Sequence, residues 1–389
     1  MGLVYLLDFQ EIDNTKKLDA KTLFDLVKLS FGVVAGAGAL VALVVAYRRQ
    51  RVDEAGAHRE ATRLHTERFS QAVDKLGSDS PAVRLGGVHA LAGLADDAPD
   101  DDLRQTCIDV LCAYLRLPFS PDPGDEPTLP DGSPIPEEHR DAHQEKRNRY
   151  RALREVRHTI LRLIGDHYRI PMGTHRSWQG CNLDLTGVTI DGRMRFGGAN
   201  FSGGTVNFDG AEFCGGAVDF AGAAFSADTV SFRGAVFSGG GVYFGGAKFS
   251  DGDVIFDSAE FSGGSVFFVG AEFSGGTVIF DSAVFSGGDV HFVGAKFSDG
   301  TVSFIDAGFS GGTVNFDSAG FSGGDVNFND AEFSSGDVRF TRTAFSGGSV
   351  DFAGAEFSGG TVDFARAAFS GGDVIFDSAE FSGSHVRID

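Results

Sequence analysis

The residue types that could carry chemistry are sparse and badly spaced for it. His139 and His143 stand four apart in HRDAH, a spacing that puts two imidazoles on one helical face. The glutamate that HExxH hydrolysis needs is missing, and the surrounding stretch is charged all round, like a solvated helix face. Four cysteines, Cys107, Cys112, Cys181 and Cys214, form no CxxC pair and no even set of bridges. That pattern points to a reducing compartment and away from a disulfide scaffold or a zinc site. Cys107 and Cys112 fit an apolar helix face as core thiols, and Cys214 replaces a serine in an exposed corner, where it reads as unreactive. There is no nucleophile elbow, P-loop or dinucleotide fingerprint, and the glycine pairs of the C-terminal half recur too regularly to cradle a phosphate. The expectation is no enzyme, no cofactor and no metal, so function must come from architecture.

The architecture begins with a repeat. Of 38 Phe, 33 lie beyond Leu183, at 196, 201, 208, 213, 220, 225 and onward to 376 and 381, with spacings alternating five and seven. In the twelve-residue unit that starts at Phe201, FSGGTVNFDGAE, Val206 precedes Phe208 by two and Ala211 precedes Phe213 by two. Side chains two apart on an extended chain share a face, so these four point inward while Asn207 and Glu212 point out. Asp209-Gly210 and the Ser-Gly-Gly segments supply corners, with glycine wherever a positive φ is needed. No proline after Pro171 interrupts a ladder. The pattern predicts a solenoid whose coils stack because none can bury its face alone. A twelve-residue ring would enclose too few side chains, whereas two units give 24 residues and four faces. The sequence supports that period, since FDSA at 256 and 280 alternates with FVGA at 268 and 292. Calcium-binding coils, ice-binding ranks of TxT and leucine-rich repeats fail on period or on residue type.

On these residues the chain resembles the pentapeptide-repeat family. Ala199-Asn200-Phe201-Ser202-Gly203 matches its A-(N/D)-(L/F)-x-x unit, and Leu185 and Ile190 open the series at spacing five. The resemblance covers just over half the chain and implies an all-β, right-handed quadrilateral β-helix. Alternate units carry two extra residues (Gly276-Thr277, Gly288-Asp289), so the family's twenty-residue coil does not carry over. With RRQR, FSQAVDKLGSDSPAVRLGGVHALAGLA and LCAYLR ahead of the repeat, the layout resembles membrane-anchored pentapeptide-repeat proteins of actinobacteria, a group to which the resemblance assigns no activity.

The other regions follow from local composition. After an N-terminal segment, 1–28, the run at 29–47 carries no charge and is long enough to cross a ~30 Å hydrocarbon core as one transmembrane helix. Four lysines precede it (Lys16, Lys17, Lys21, Lys28) and five arginines follow (Arg48, Arg49, Arg51, Arg59, Arg63), which favours a cell-membrane protein with its bulk in the cytoplasm. Residues 48–117 form a small α-helical module: a charged helix from Asp53, then a HEAT-like pair. The first of the pair is capped by Ser80 with Pro81 at N1 and has Val83, Val88, Leu91 and Leu94 on one face; the second carries Leu103, Cys107, Val110, Leu111 and Tyr114. Seven of ten prolines mark a linker at 118–136. Residues 137–182 are a helix and cap, with Leu153, Val156, Ile160, Leu161, Ile164 and Trp178 as docking residues, and 183–389 is the solenoid.

Of the formal charge of −21, −17 lies in residues 187–389, where 26 carboxylates face nine Lys and Arg. Such acidity argues against direct nucleic-acid binding. It suits either a soluble rod that displays a surface to an unidentified protein partner, or a mimic of duplex DNA that modulates a type II topoisomerase. Outward slots that break the polar rule are Ile255, Ile279, Phe267, Val236 and Val284, candidates for a partner-binding surface. At the end of the rod, Phe376, Phe381, Val386 and Ile388 either stay uncovered and favour a homodimer, or fold back as a small lid.

Overall fold

The computed structural model describes residues 20–120, 122–125, 136–226, 229–383 and 385–388. The N-terminal segment 1–19, with Lys16 and Lys17, and residues 121 and 126–135 of the proline-rich stretch lie outside the described residues. Two compact units divide between Leu64 and His65.

The described part of the first unit belongs to helix α1, Ala20–Leu76. It contains the uncharged run and is long and apolar enough to cross a membrane, with a mean hydropathy of 2.3 over 18 residues, none of them buried. The helix does not stop at the arginines. YRRQRVDEA contains no proline and is rich in good helix formers, so the charged stretch expected as a separate helix continues the same one.

In the second unit, the last turns of α1 pack with α2 (Pro81–Asp96) and α3 (Asp101–Arg116), burying Ala72, Leu76, Val88, Leu91, Cys107, Ile108, Leu111, Cys112 and Leu115. Gly87 makes the crossing close: a Cβ there would stand 2.6 Å from the Leu76 amide nitrogen. Asp100 caps α3 by accepting from the Leu103 amide at 2.9 Å. Ser80 precedes Pro81 as expected, but its hydroxyl caps nothing; its carbonyl takes the first helical bond, from Arg84. Val83, in the first turn of α2, is 42% exposed instead of joining the apolar face.

Beyond α4 (Glu137–Tyr168) the chain is a parallel β-solenoid of about eight turns. Register fixes the coil at 24 residues: Phe213 pairs with Phe237 and Phe237 with Phe261. The opening coil has one residue fewer, since Leu183 pairs with Val206. Each coil has four short faces, as in Val206–Asn207, Glu212–Phe213, Val218–Asp219 and Ala224–Phe225. Two faces form separate nine-stranded sheets; the other two merge where the Ser-Gly-Gly corner flattens into eight-residue strands such as Glu272–Ile279.

Inside, each Phe sits on the Phe one coil away. Phe256 and Phe280 stack at 4.8 Å and 3°, Phe261 and Phe285 at 4.7 Å and 3°, and Phe273 and Phe297 at 4.8 Å and 2°. The ring separation equals the spacing of neighbouring strands, so the stack and the hydrogen-bond ladder share one period. Columns meet edge to face across the interior, Phe268 against Phe280 at 6.0 Å and 88°.

The corners divide glycine's two uses. Between Phe268 and Ala271 the chain makes a turn closed by a 3.0 Å bond from the Ala271 amide to the Phe268 carbonyl, with Gly270 at φ +65°. The same slot also holds Ser258, Ser282, Asp306, Ser318, Asp330, Arg342, Arg366 and Ser378, all with positive φ, so glycine is not obligatory there. In the Ser-Gly-Gly corner the reason is mostly space: a Cβ on Gly264 would lie 2.1 Å from the Gly240 carbonyl oxygen of the preceding coil.

Candidate interaction surface

The outward residues singled out by sequence fall on three faces and do not form one stripe. Ile255 and Ile279 pair directly, as a 24-residue coil requires, but Ser231 and Ser303 close the pair on either side. Val236 lies between Glu212 and Glu260, and Val284 between Glu260 and Gly308, so a carboxylate separates the two valines.

Phe267 is different. Tyr243 precedes it and His291 follows it on the same face. The Tyr243 and Phe267 rings stack at 4.8 Å and 5°, and Phe267 and His291 at 4.9 Å and 17°. This is a three-ring aromatic column on the outside of the rod, bounded by Asp219 and Asn315 in the same register. Tyr243 is 39% exposed, and Val269, two residues beyond Phe267, is 45% exposed. Sequence reading found only the middle ring. The 24-residue period, applied to positions 243, 267 and 291, would have found the other two.

Part of the acidity of the solenoid already has partners. Asp209, Asp253, Asp281, Asp289, Asp317, Asp325 and Asp337 each accept a backbone amide from the next coil, 24 residues on, at 2.7–3.1 Å. These carboxylates satisfy donors that the corners leave without ladder partners.

The two ends of the solenoid differ. At the first coil, α4 buries Val156, Ile160, Leu161 and Ile164, with Leu153 half-buried, and Trp178 is buried beside them. Side chains of α4 and of the residue after it also cap the open ladder edge. Arg157 donates to the Thr189 carbonyl, Arg154 to Asp191, and Arg169 to Arg195 and Gly197, at 2.9–3.1 Å. Asp191 collects Tyr150, Arg154 and His158. Burial would push its carboxyl up, but the hydrogen bonds from His158 and Tyr150 and the charge of Arg154 hold it at about 2. Asp96 works likewise between the helical module and the cap. Although burial opposes it, His167, Arg176 and Trp178 keep this carboxyl below its usual range.

At the far end Phe369 is 51% exposed and Phe381 41%, against 0–2% for the Phe columns inside. Phe376 is half-buried. Val386 (39% exposed) and Ile388 (72%) do not fold back as a lid; His385–Arg387 pairs with Thr361–Asp363 as one more rung.

Among the described residues, the titratable clusters show no assembled nucleophile or metal site. The Cys107 sulfur lies 4.0 Å from His65 Nε2, a pair sequence reading did not anticipate, but burial pushes that thiol up to about 12, so it is not an activated thiolate. Cys112 is pushed up to about 12 and Cys181 to about 11 by the same cause; Cys214 is exposed. Among the described residues, no three or more His, Cys, Asp or Glu side chains converge to hold a metal ion, His139 and His143 included.

No family model matches the chain, and no match was found among curated proteins or solved structures. The geometry itself makes this chain a parallel β-solenoid with regularly stacked Phe, compatible with a pentapeptide-repeat-like protein.

Proposed function

We propose that this chain is a non-enzymatic scaffold of the membrane-anchored pentapeptide-repeat type found in actinobacteria. In this reading α1 spans the cell membrane once and the acidic solenoid is displayed in the cytoplasm to a protein partner. The observation that carries it is the outward-facing Tyr243–Phe267–His291 column, a stacked aromatic platform on the outside of the rod. The test is recovery of partners from native membranes with the full chain and with Tyr243→Ala/Phe267→Ala. Proteins retained by the first and lost by the second are expected; equal recovery would sink the reading. Release of the chain by carbonate washing would sink the anchor.

The exposed last coil favours a second reading, in which two copies pair through Phe376, Phe381, Val386 and Ile388. Light scattering of the full chain in detergent should give a dimer that Phe381→Glu/Ile388→Glu converts to a monomer. A wild-type monomer at tens of micromolar refutes this. Mimicry of duplex DNA is the weaker alternative, because seven of the carboxylates it would use already accept amides from the neighbouring coil. An unaltered rate of supercoiling by a type II topoisomerase would remove it.

A further inference from the structure

Where α4 lies on the first coil, a cleft of about 480 Å³ runs against the charge of the whole molecule. Arg154, Arg162, Arg169, Arg193 and Arg195 line it, with Glu155 and Asp166 as the only carboxylates in its wall. Three of the arginines are engaged: Arg154 with Asp191 at 3.0 Å, and Arg162 and Arg169 with Asp166 at 3.4 and 2.7 Å. Arg193 and Arg195 are exposed, and among the described residues neither guanidinium has a hydrogen-bond or ion-pair partner. They flank Met194, which is fully buried, so their side chains leave the same outward face of the strand two residues apart.

Five guanidinium groups crowd one small cleft; Asp191 and Asp166 hold three of them, which leaves Arg193 and Arg195 outside any salt bridge. The chain carries a net charge of −21, so this local excess is not part of a general basic surface. Guanidinium forks match the oxygens of phosphate two at a time, and although Asp219 is the register neighbour of Arg195, neither Arg193 nor Arg195 is held in a salt bridge, so both are free to do so. The cleft volume lies in the range of small-ligand sites. We propose that this cleft binds a phosphate group, with Arg193 and Arg195 as its principal ligands and Arg162 and Arg169 at its wall. The phosphate can come from a soluble phosphorylated compound or from a lipid headgroup; both present the same oxygens.

The probe is inorganic pyrophosphate, titrated calorimetrically into the full chain in a neutral detergent. Saturable one-to-one binding is expected, weakening as salt is raised. Arg193→Ala/Arg195→Ala should lower the affinity at least tenfold. Arg339→Ala, in the same outward column near the far end of the rod, should leave it unchanged. Arg193 and Arg195 are exposed and stand in no side-chain ion pair, so an unchanged unfolding midpoint keeps the comparison valid. Detergent micelles doped with phosphatidic acid then separate the sources: competition with pyrophosphate identifies a headgroup site, and its absence a soluble ligand. No binding at millimolar pyrophosphate, or equal binding by the double variant, overturns the proposal.

Discussion

Two glycines six residues apart should fail for opposite reasons when given a methyl group. At Gly270 φ is +65° and nothing lies within 4 Å of the added Cβ, so the cost is conformational alone. An L-residue in that region costs about 1–2 kcal/mol, and the stiffer unfolded chain returns about 0.4–1. Gly270→Ala should therefore destabilise by about 1 kcal/mol. At Gly264 the backbone accepts any residue, but the Cβ meets the Gly240 oxygen at 2.1 Å. Carbon and oxygen approach to about 3.3 Å, so the coils must part by about 1.2 Å. The bonds beside it, Ser262 amide to Phe237 carbonyl at 3.1 Å and Val242 amide to Ser265 carbonyl at 2.9 Å, leave little room to lengthen. Losing two or three of them, with the ring stacking they hold in register, costs at least about 3 kcal/mol. Ser258 occupies the Gly270 slot at φ +57°, so Ser258→Gly should stabilise, by up to about 1 kcal/mol. Guanidinium unfolding of the full chain, followed by circular dichroism, reads the order from the midpoints: Ser258→Gly, wild type, Gly270→Ala, Gly264→Ala. If Gly264→Ala behaved like wild type while Gly270→Ala were the costlier, contact between coils could not be what selects glycine in these corners.

Phe280→Ala removes a ring stacked on both sides and should cost about 3–5 kcal/mol, whereas Phe381→Ala, at the exposed end, should cost about 1 or less; the unfolding midpoints of the two variants check this. Because the Asp191 carboxyl is held at about 2 in the fold, below its ordinary 3.8, the stability it contributes is present above pH 4 and is lost as the pH falls from about 4 towards 2. Asp191→Asn should flatten the pH dependence of unfolding in that window; an unchanged profile refutes the Asp191 hub. Maleimide at pH 8 should modify Cys214 and spare Cys107, Cys112 and Cys181 until the chain unfolds, as mass spectrometry of the labelled peptides would show.

The solenoid was legible because its period is written many times over. Phe at alternating spacings of five and seven gives two inward faces per unit, and an enclosed volume large enough for four rings demands two units per coil. The positive-φ slot was less legible: Asp209-Gly210 predicts glycine there, yet Arg342 and Arg366 occupy it, because the slot opens onto solvent and excludes no side chain by size. Ends of elements were harder again. The arrest of α1 expected at Arg48 did not occur, since charge alone does not break a helix that has no proline. Val83 was misplaced because helical spacing tells which side of a helix a residue lies on, not how far along that helix the packing extends.

The interaction surface and the cationic cleft were each only partly legible, for a shared physical reason. Both are made of residues that meet through coil stacking or helix docking rather than through local spacing. Phe267 alone is one exposed aromatic residue; with Tyr243 and His291 above and below it becomes a platform, and only the 24-residue register brings the three together. Arg193 and Arg195 are two apart and can be read as outward from sequence, but Arg162 and Arg169 reach the same cleft only because α4 lies against the first coil. That approach depends on Gly165, where an added Cβ would stand 2.2 Å from the Arg195 carbonyl oxygen. The helix that covers the open edge of the ladder therefore also concentrates positive charge beside it: its Arg157 and the Arg169 that follows it serve edge carbonyls, while Arg193 and Arg195 of the first coil face the cleft unpaired.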